Sequence, residues 1–269
     1  MEAYLDNSAT TRCYEEVKDI VVKTMMDDYG NPSAMHQKGV ESERYVKEAA
    51  GQIAATLKVQ EKEIYFTSGG TEADNWAVFG TVKRMGKRGK HIITTAMEHH
   101  AILNCMKDLE AQGYEVTYLQ PDSLGNISLD ALKSALRPDT ILVSVMMVNN
   151  EVGSIMPIAQ MAKLTHRVCP DAIFHADAVQ GFLKVPFQAK TLGADLISVS
   201  SHKIHGPKGA GALYVSPRLK SFPALIQGGG QEGNLRSGTE ATPAIFAFAA
   251  AAESGTKTFR EDTAREKGL

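Results

Sequence analysis

Between residues 63 and 215 the chain repeatedly changes its hydrophobic period, and that alternation admits few folds. Short apolar or β-branched runs predict strands at 63–67, 91–95, 116–119, 141–146, 173–176, 196–199 and 211–215. Helical spacing predicts intervening helices at 72–85, 101–112, 129–136 and 158–168, with two more ahead of them at 15–26 and 40–57. Strands that alternate with helices specify an α/β fold, its mainly parallel or mixed sheet covered on both faces. Such a sheet needs apolar material. Hydrophobic residues make up 43% of the 269, enough to bury a large core without metal or disulfides. The length allows one large domain, or a large one with a small one.

Open α/β sheets place ligands outside the carboxyl ends of their strands. Five polar clusters fall there: Thr67-Ser-Gly-Gly-Thr71, Glu98-His-His100, Asn149-Asn-Glu151, Asp177-Ala-Val-Gln180 and Ser200-Ser-His-Lys203. Clusters at equivalent strand ends are expected to converge on one pocket. In the first, Gly69 and Gly70 can expose consecutive N–H groups and Thr71 opens a helix whose amino end favours an anion. The segment reads as a phosphate cradle or as an ordinary Ser/Thr cap; it has neither GxxxxGK[ST] nor GxGxxG spacing.

Lys203 directly follows a buried strand, beside His202 and the hydroxyls of Ser200 and Ser201. Held in a pocket, its amine would lose basicity and could form a Schiff base; the alternative is a lysine on a solvated loop. Lys208 is its local rival, in a Pro-Lys-Gly turn. Asp177 at a strand end needs a cationic partner. A protonated pyridine nitrogen is one and a structural salt bridge another; a metal shared with His175 is the rival, although at i, i+2 on a strand the two are not expected to face one site easily. His99 or His100 could stack on a planar ring or cap the next helix. Asn149 and Asn150 could bind a ligand or form a turn. No GxSxG elbow and no HExxH is present, so hydrolase chemistry lacks support.

Global properties narrow the partners. Twenty-nine basic against 31 acidic residues leave a net charge of -2, which gives no general attraction to nucleic acid. Cys13, Cys105 and Cys169 are too scattered for a disulfide framework or a metal pattern, and suit a reducing compartment. No metal site is expected. The amino end shows no signal peptide, and the longest apolar stretch, 244–252, is half a membrane span. A cytoplasmic protein with no membrane partner is expected.

In order along the chain, Tyr4-Leu-Asp-Asn-Ser-Ala-Thr-Thr11, Gly30-Asn-Pro-Ser33 with His36, Thr67-Ser-Gly-Gly-Thr-Glu-Ala-Asp-Asn75, Glu98-His99, Val148-Asn-Asn-Glu-Val-Gly153, His175-Ala-Asp-Ala-Val-Gln180, Ser200-Ser-His-Lys203, Gly228-Gly-Gly-Gln-Glu232 and Leu235-Arg-Ser-Gly-Thr-Glu240 match the blocks of one family. The chain resembles the pyridoxal-phosphate-dependent cysteine desulfurases of the NifS/IscS group, class V of the aminotransferase superfamily. The resemblance implies fold type I: a large domain with a mainly parallel seven-stranded sheet between helices, and pyridoxal 5'-phosphate as cofactor. It divides the chain into an amino-terminal segment (1–15), a cofactor-binding large domain (16–255) and the start of a small domain (256–269).

By the same resemblance Lys203 bonds the cofactor aldehyde, Asp177 pairs with the pyridine nitrogen and Gln180 with the phenolic oxygen. His99 stacks on the ring and shuttles protons. Gly70 and Thr71, with Ser200 and His202, form the phosphate site; Asn150 lies near substrate and cofactor oxygen; Thr239 reaches the neighbouring subunit's phosphate in a homodimer. The implied reaction converts L-cysteine to L-alanine and passes sulfur to an enzyme thiol, then to an acceptor or scaffold protein of iron–sulfur cluster or thiolated-cofactor synthesis.

Two departures stand out. Gly233 replaces an arginine that family members often carry. More importantly, relatives use a later loop cysteine to carry sulfur and a later arginine to bind the substrate carboxylate, and neither segment occurs before Leu269. Impaired turnover is therefore expected of this chain, read as a cofactor domain whose sulfur-carrying part is missing. A selenocysteine-lyase-like enzyme and a non-catalytic fragment or scaffold are the alternatives; cofactor absorbance and alanine production from cysteine discriminate among them.

Overall fold

The computed structural model describes residues 3–268. Its strands are β1 (Ile64–Thr67), β2 (His91–Thr95), β3 (Glu115–Leu119), β4 (Thr140–Met146), β5 (Ile173–Asp177), β6 (Leu196–Ser200) and β7 (Gly211–Val215). They form one seven-stranded sheet in the order β1-β7-β6-β5-β4-β2-β3. β7 runs antiparallel to both neighbours, and every other pairing is parallel. β1 therefore points the same way as β2 to β6, and its carboxyl end joins theirs. The expected mainly parallel seven-stranded α/β sheet is what the chain forms.

The helices are α1 (Glu15–Met26), α2 (Gln37–Leu57), α3 (Gly70–Met85), α4 (His100–Ala111), α5 (Leu129–Ala135), α6 (Ile158–Val168), α7 (Ala189–Leu192) and α8 (Thr242–Lys267). Alternate strand residues face opposite sides, and each side has its own core. On one, Trp76 of α3 and Ile102, Met106 and Leu109 of α4 pack against Ile92, Leu142 and Leu213. On the other, Ile53 of α2, Met161 of α6 and Phe248 of α8 pack against Val143, Phe174 and Val199. Cover on both faces leaves every residue of β4 to β7 buried, so the polar side chains among them, His175 and Ser198 included, face other protein groups rather than water.

Several boundaries move. α2 begins three residues before its expected start, because His36 Nδ1 accepts a capping hydrogen bond from Gly39 N at 3.4 Å. α3 opens at Gly70 rather than Glu72. The four-residue α7 lacked enough length for a period to show. α8 is a single helix that passes through 255 and 256 without a break and packs on α1 and α2. Ahead of α1, the chain crosses the molecule to the Lys203 loop: Thr11 N donates to His202 O at 3.0 Å and Tyr14 N to His205 O at 3.1 Å. Among the described residues, no helix is long and apolar enough to cross a membrane.

Candidate active site

All five strand-end clusters meet. A cavity of about 570 Å³ at the carboxyl edge of the sheet is lined by Gly70 and Thr71, His99, Asn150 and Glu151, Asp177 and Gln180, and Ser200, His202 and Lys203. The amino-terminal segment closes one wall with Asp6, Ser8 and Ala9. A larger cavity of about 850 Å³ lies elsewhere, between α8 and residues 182–191, with Phe182, Leu183, Val185 and Phe187 in its lining. Volume alone would choose that one; the chemistry selects the cavity at the strand ends.

At one end of the site Gly69 adopts φ +151, a conformation that non-glycine residues rarely take, and α3 starts immediately after it. The first N–H groups of a helix have no intrahelical partner and favour an anion. Ser200 Oγ, from the end of β6, is buried without a hydrogen-bond partner. A helix start, an unengaged hydroxyl and the Thr71 side chain in one cavity make a donor set suited to a phosphate group.

At the other end Lys203 Nζ donates to the carbonyls of Ser8 and Ala9, the latter at 2.8 Å. Burial lowers the Lys203 pKa, opposed by the negative charges of Asp6 and Asp177. Asp177 ends β5, is buried, and accepts from Val179 N at 2.9 Å. Burial raises its pKa, while the Val179 N–H and the nearby His99 and Lys203 hold it down. Gln180 Nε2 donates to Ser8 O at 2.8 Å, and its Oε1 accepts from Lys184 Nζ at 3.0 Å. The loop lysine, the strand-end aspartate and the glutamine thus face one space.

His99 does what the sequence left open between stacking and capping: its Nδ1 accepts from Ala101 N at 3.1 Å and caps α4, while the ring still lines the cavity. The proton then belongs on Nε2. Asn149 builds a turn, its Oδ1 accepting from Glu151 N and Val152 N, each at 2.9 Å. Its neighbour Asn150 lines the cavity. His175 lies two residues before Asp177 and so on the same face of β5. Both its nitrogens are engaged, Nδ1 with Ser144 Oγ and Nε2 with Ser198 Oγ at 2.9 Å, so none is left for a metal shared with Asp177. Burial pushes its pKa down to about 3 and keeps it neutral. Among the described residues, no group of three or more His, Cys, Asp or Glu could hold a metal ion.

Thr239 is exposed and outside this cavity, and Lys208 is exposed in its turn. Of the cysteines, Cys13 is exposed while Cys105 and Cys169 are buried, and none lines the cavity. Burial pushes the Cys105 thiol up to about 12. Three residues had no role in the sequence reading. Asp74 sits at the cavity floor, Glu98 is buried just behind it, and Asp6 reaches the rim. Asp74 and Glu98 belong to quoted blocks, but each could equally be a helix-start acid.

The model of the class-V aminotransferase family matches residues 3–268. "Cysteine desulfurase IscS" of Methanosarcina thermophila is 45% identical over 258 residues, covering 96% of this chain and 63% of that protein. "Putative cysteine desulfurase IscS 1" of Bacillus subtilis (strain 168) is 48% identical over 242 residues, covering 90% and 63%. The chain therefore spans about 63% of the length of these curated relatives. Among solved structures, a "NIFS-LIKE PROTEIN" superposes with a TM-score of 0.94 at 39% identity, over 97% of this chain and 71% of that one. "SspA in complex with cysteine" superposes with a TM-score of 0.89 at 37% identity, over 98% and 78%.

Proposed function

The chain belongs to the class-V aminotransferase family, among homologues of the IscS and NifS cysteine desulfurases, and from that premise we propose that its strand-end cavity holds pyridoxal 5'-phosphate and works on L-cysteine. The overall change is transfer of one sulfur: cysteine and a thiol RSH become alanine and a persulfide RSSH. The observation that carries the reading is the convergence of five clusters, with Lys203, Asp177 and a helix start in one cavity. The large domain is residues 16–255, and the protein acts in the cytoplasm.

When bound, pyridoxal phosphate supplies an aldehyde for an amine and an electron sink for charge left on the substrate. Gly70 and Thr71 at the start of α3, with Ser200 and His202, would hold its phosphate; Asp177 its ring nitrogen; Gln180 its phenolic oxygen. Burial leaves more of Lys203 as free amine, able to bond a carbonyl carbon and afterwards to move a proton at Nζ. His99, its ring anchored through Nδ1, would stack on the cofactor ring and move a proton at Nε2. Asn150 would orient the amino acid.

The cavity lining contains no thiol, so in this reading the sulfur passes to a thiol that does not line the cavity, that of an acceptor or scaffold protein included. Thr239, exposed beyond the cavity, is assigned to the neighbouring subunit of a homodimer. The test is alanine formation from L-cysteine with pyridoxal phosphate and excess dithiothreitol as the thiol. Production that stops with Lys203→Ala supports the reading; production that continues in that variant, or is absent from the unaltered protein, overturns it.

A further inference from the structure

Asp74 projects from the first turns of α3 to the floor of the cavity and is 2% exposed. It is the end of a buried chain of polar groups that crosses three strands. Ser144 of β4 bonds His175 Nδ1 and His175 Nε2 bonds Ser198 of β6; the Ser198 hydroxyl lies beside Asp74, where it opposes part of the effect of burial on that carboxyl. Asp74 Oδ1 lies 3.6 Å from His175 Nε2, yet has no hydrogen-bond partner of its own. Asp177, on the same floor, is treated differently: Val179 N donates to its Oδ1 at 2.9 Å. A backbone N–H aimed at a carboxylate favours the anion, whereas an unpartnered buried oxygen favours the neutral acid.

We propose that Asp74 is a positioning residue for Asp177: it occupies the cavity floor as a neutral acid, so that Asp177 alone presents a charge to the bound ring nitrogen. The role rests on the reading that the cavity holds pyridoxal phosphate. Two adjacent carboxyls with unlike surroundings divide the acid and anion states between them. The other groups facing the pair agree with that division. His99 and Lys203 lie near Asp177 and favour its charged form. Glu98, buried nearby, adds repulsion to a charge on Asp74 only where it is itself ionised, and burial holds its own pKa up at about 8. His175 between the strands is neutral, and Cys105 on α4 faces Asp74 as a thiol. Burial and the Asp177 charge both push the Asp74 pKa well up.

Carboxyl-carbon NMR on the cofactor-free protein tests this without relying on cofactor binding. Asp74 should show a protonated signal that does not titrate between about pH 5 and 8, while Asp177 is ionised at neutral pH. Asp74→Asn keeps shape and neutrality, and should move the Asp177 ionisation constant by less than about threefold. Asp74→Ala opens the floor to water and should ease Asp177 ionisation by about tenfold or more. An ionised Asp74, or an Asp177 whose ionisation becomes tenfold easier in Asp74→Asn, overturns the neutral assignment. An unchanged Asp177 in Asp74→Ala overturns the positioning role; if that variant fails to fold, the wild-type and Asp74→Asn titrations still decide. After pyridoxal phosphate is added, the pH midpoint of its visible band should coincide in wild type and Asp74→Asn. A protein that stays colourless refutes the cofactor reading while the carboxyl titration stands on its own.

Discussion

Glu98 is a carboxyl in a place that disfavours its charge. Its Oε1 accepts from Thr95 Oγ1 at 2.7 Å and from Met146 N at 2.9 Å, while Oε2 is buried and unpartnered. Burial pushes its pKa up to about 8, well above the usual carboxylate range. A group that binds its proton more tightly folded than unfolded contributes stability present below the unfolded pKa, and that contribution is lost as pH rises through the folded one. Stability should therefore decline between about pH 4.5 and about 8 because of Glu98. Glu98→Gln keeps the accepting oxygen and should remove roughly 3–5 kcal/mol of that decline, read by denaturant unfolding across the pH series. Single residues were also where the sequence was least legible. Lys203 and Asp177 stood out because charge directly after an apolar strand is unusual. Asp74 and Glu98 did not, because an acid near a helix start looks the same whether it faces water or a buried floor. His175 was set aside as a metal ligand on the wrong ground, since i, i+2 residues of a strand do share a face; what removes it is that serines on neighbouring strands engage both of its nitrogens.

Elements were far more legible, since period and burial are properties of many residues at once. Each strand from β1 to β7 appeared as an apolar run within two residues of its final bounds. The close approach of β7 to the start of α3 was invisible, because it depends on a missing side chain. A Cβ on Gly211 would meet the backbone of Gly69 at 2.7 Å. Gly211→Ala should thus push the Gly69–Gly70 turn, proposed above to hold the phosphate, out of place, costing roughly 1–3 kcal/mol of stability. Cofactor affinity should fall by roughly tenfold or more, read by titration of the visible band. At the far end of α2, Lys58 holds φ +58 as the left-handed cap. Lys58→Gly should relieve that strain and raise stability by about 1 kcal/mol, checked by thermal unfolding.

For the whole molecule, the parallel sheet explains why residues from 70 to 203 share one cavity: each crossover returns the chain to the same edge. That convergence was readable from the polar clusters that directly follow the expected strands. The position of residues 6–14 across the Lys203 loop was not, because those bonds join parts about 190 residues apart. Two properties of the assembled protein follow from the proposed function. Light scattering of the cofactor-loaded chain should give twice its 29.1 kDa mass, and a monomer would remove the role given to Thr239. Replacing Cys13, Cys105 and Cys169 together should leave alanine production with dithiothreitol unchanged, since none lines the cavity; a large loss would make one of them the sulfur carrier. The most direct test of the central claim is covalent. The protein is loaded with pyridoxal phosphate, reduced with borohydride and digested for peptide mass spectrometry. The cofactor mass should appear on Lys203 in stoichiometric yield; no adduct, or an adduct on Lys184 or Lys208 instead, would contradict the account.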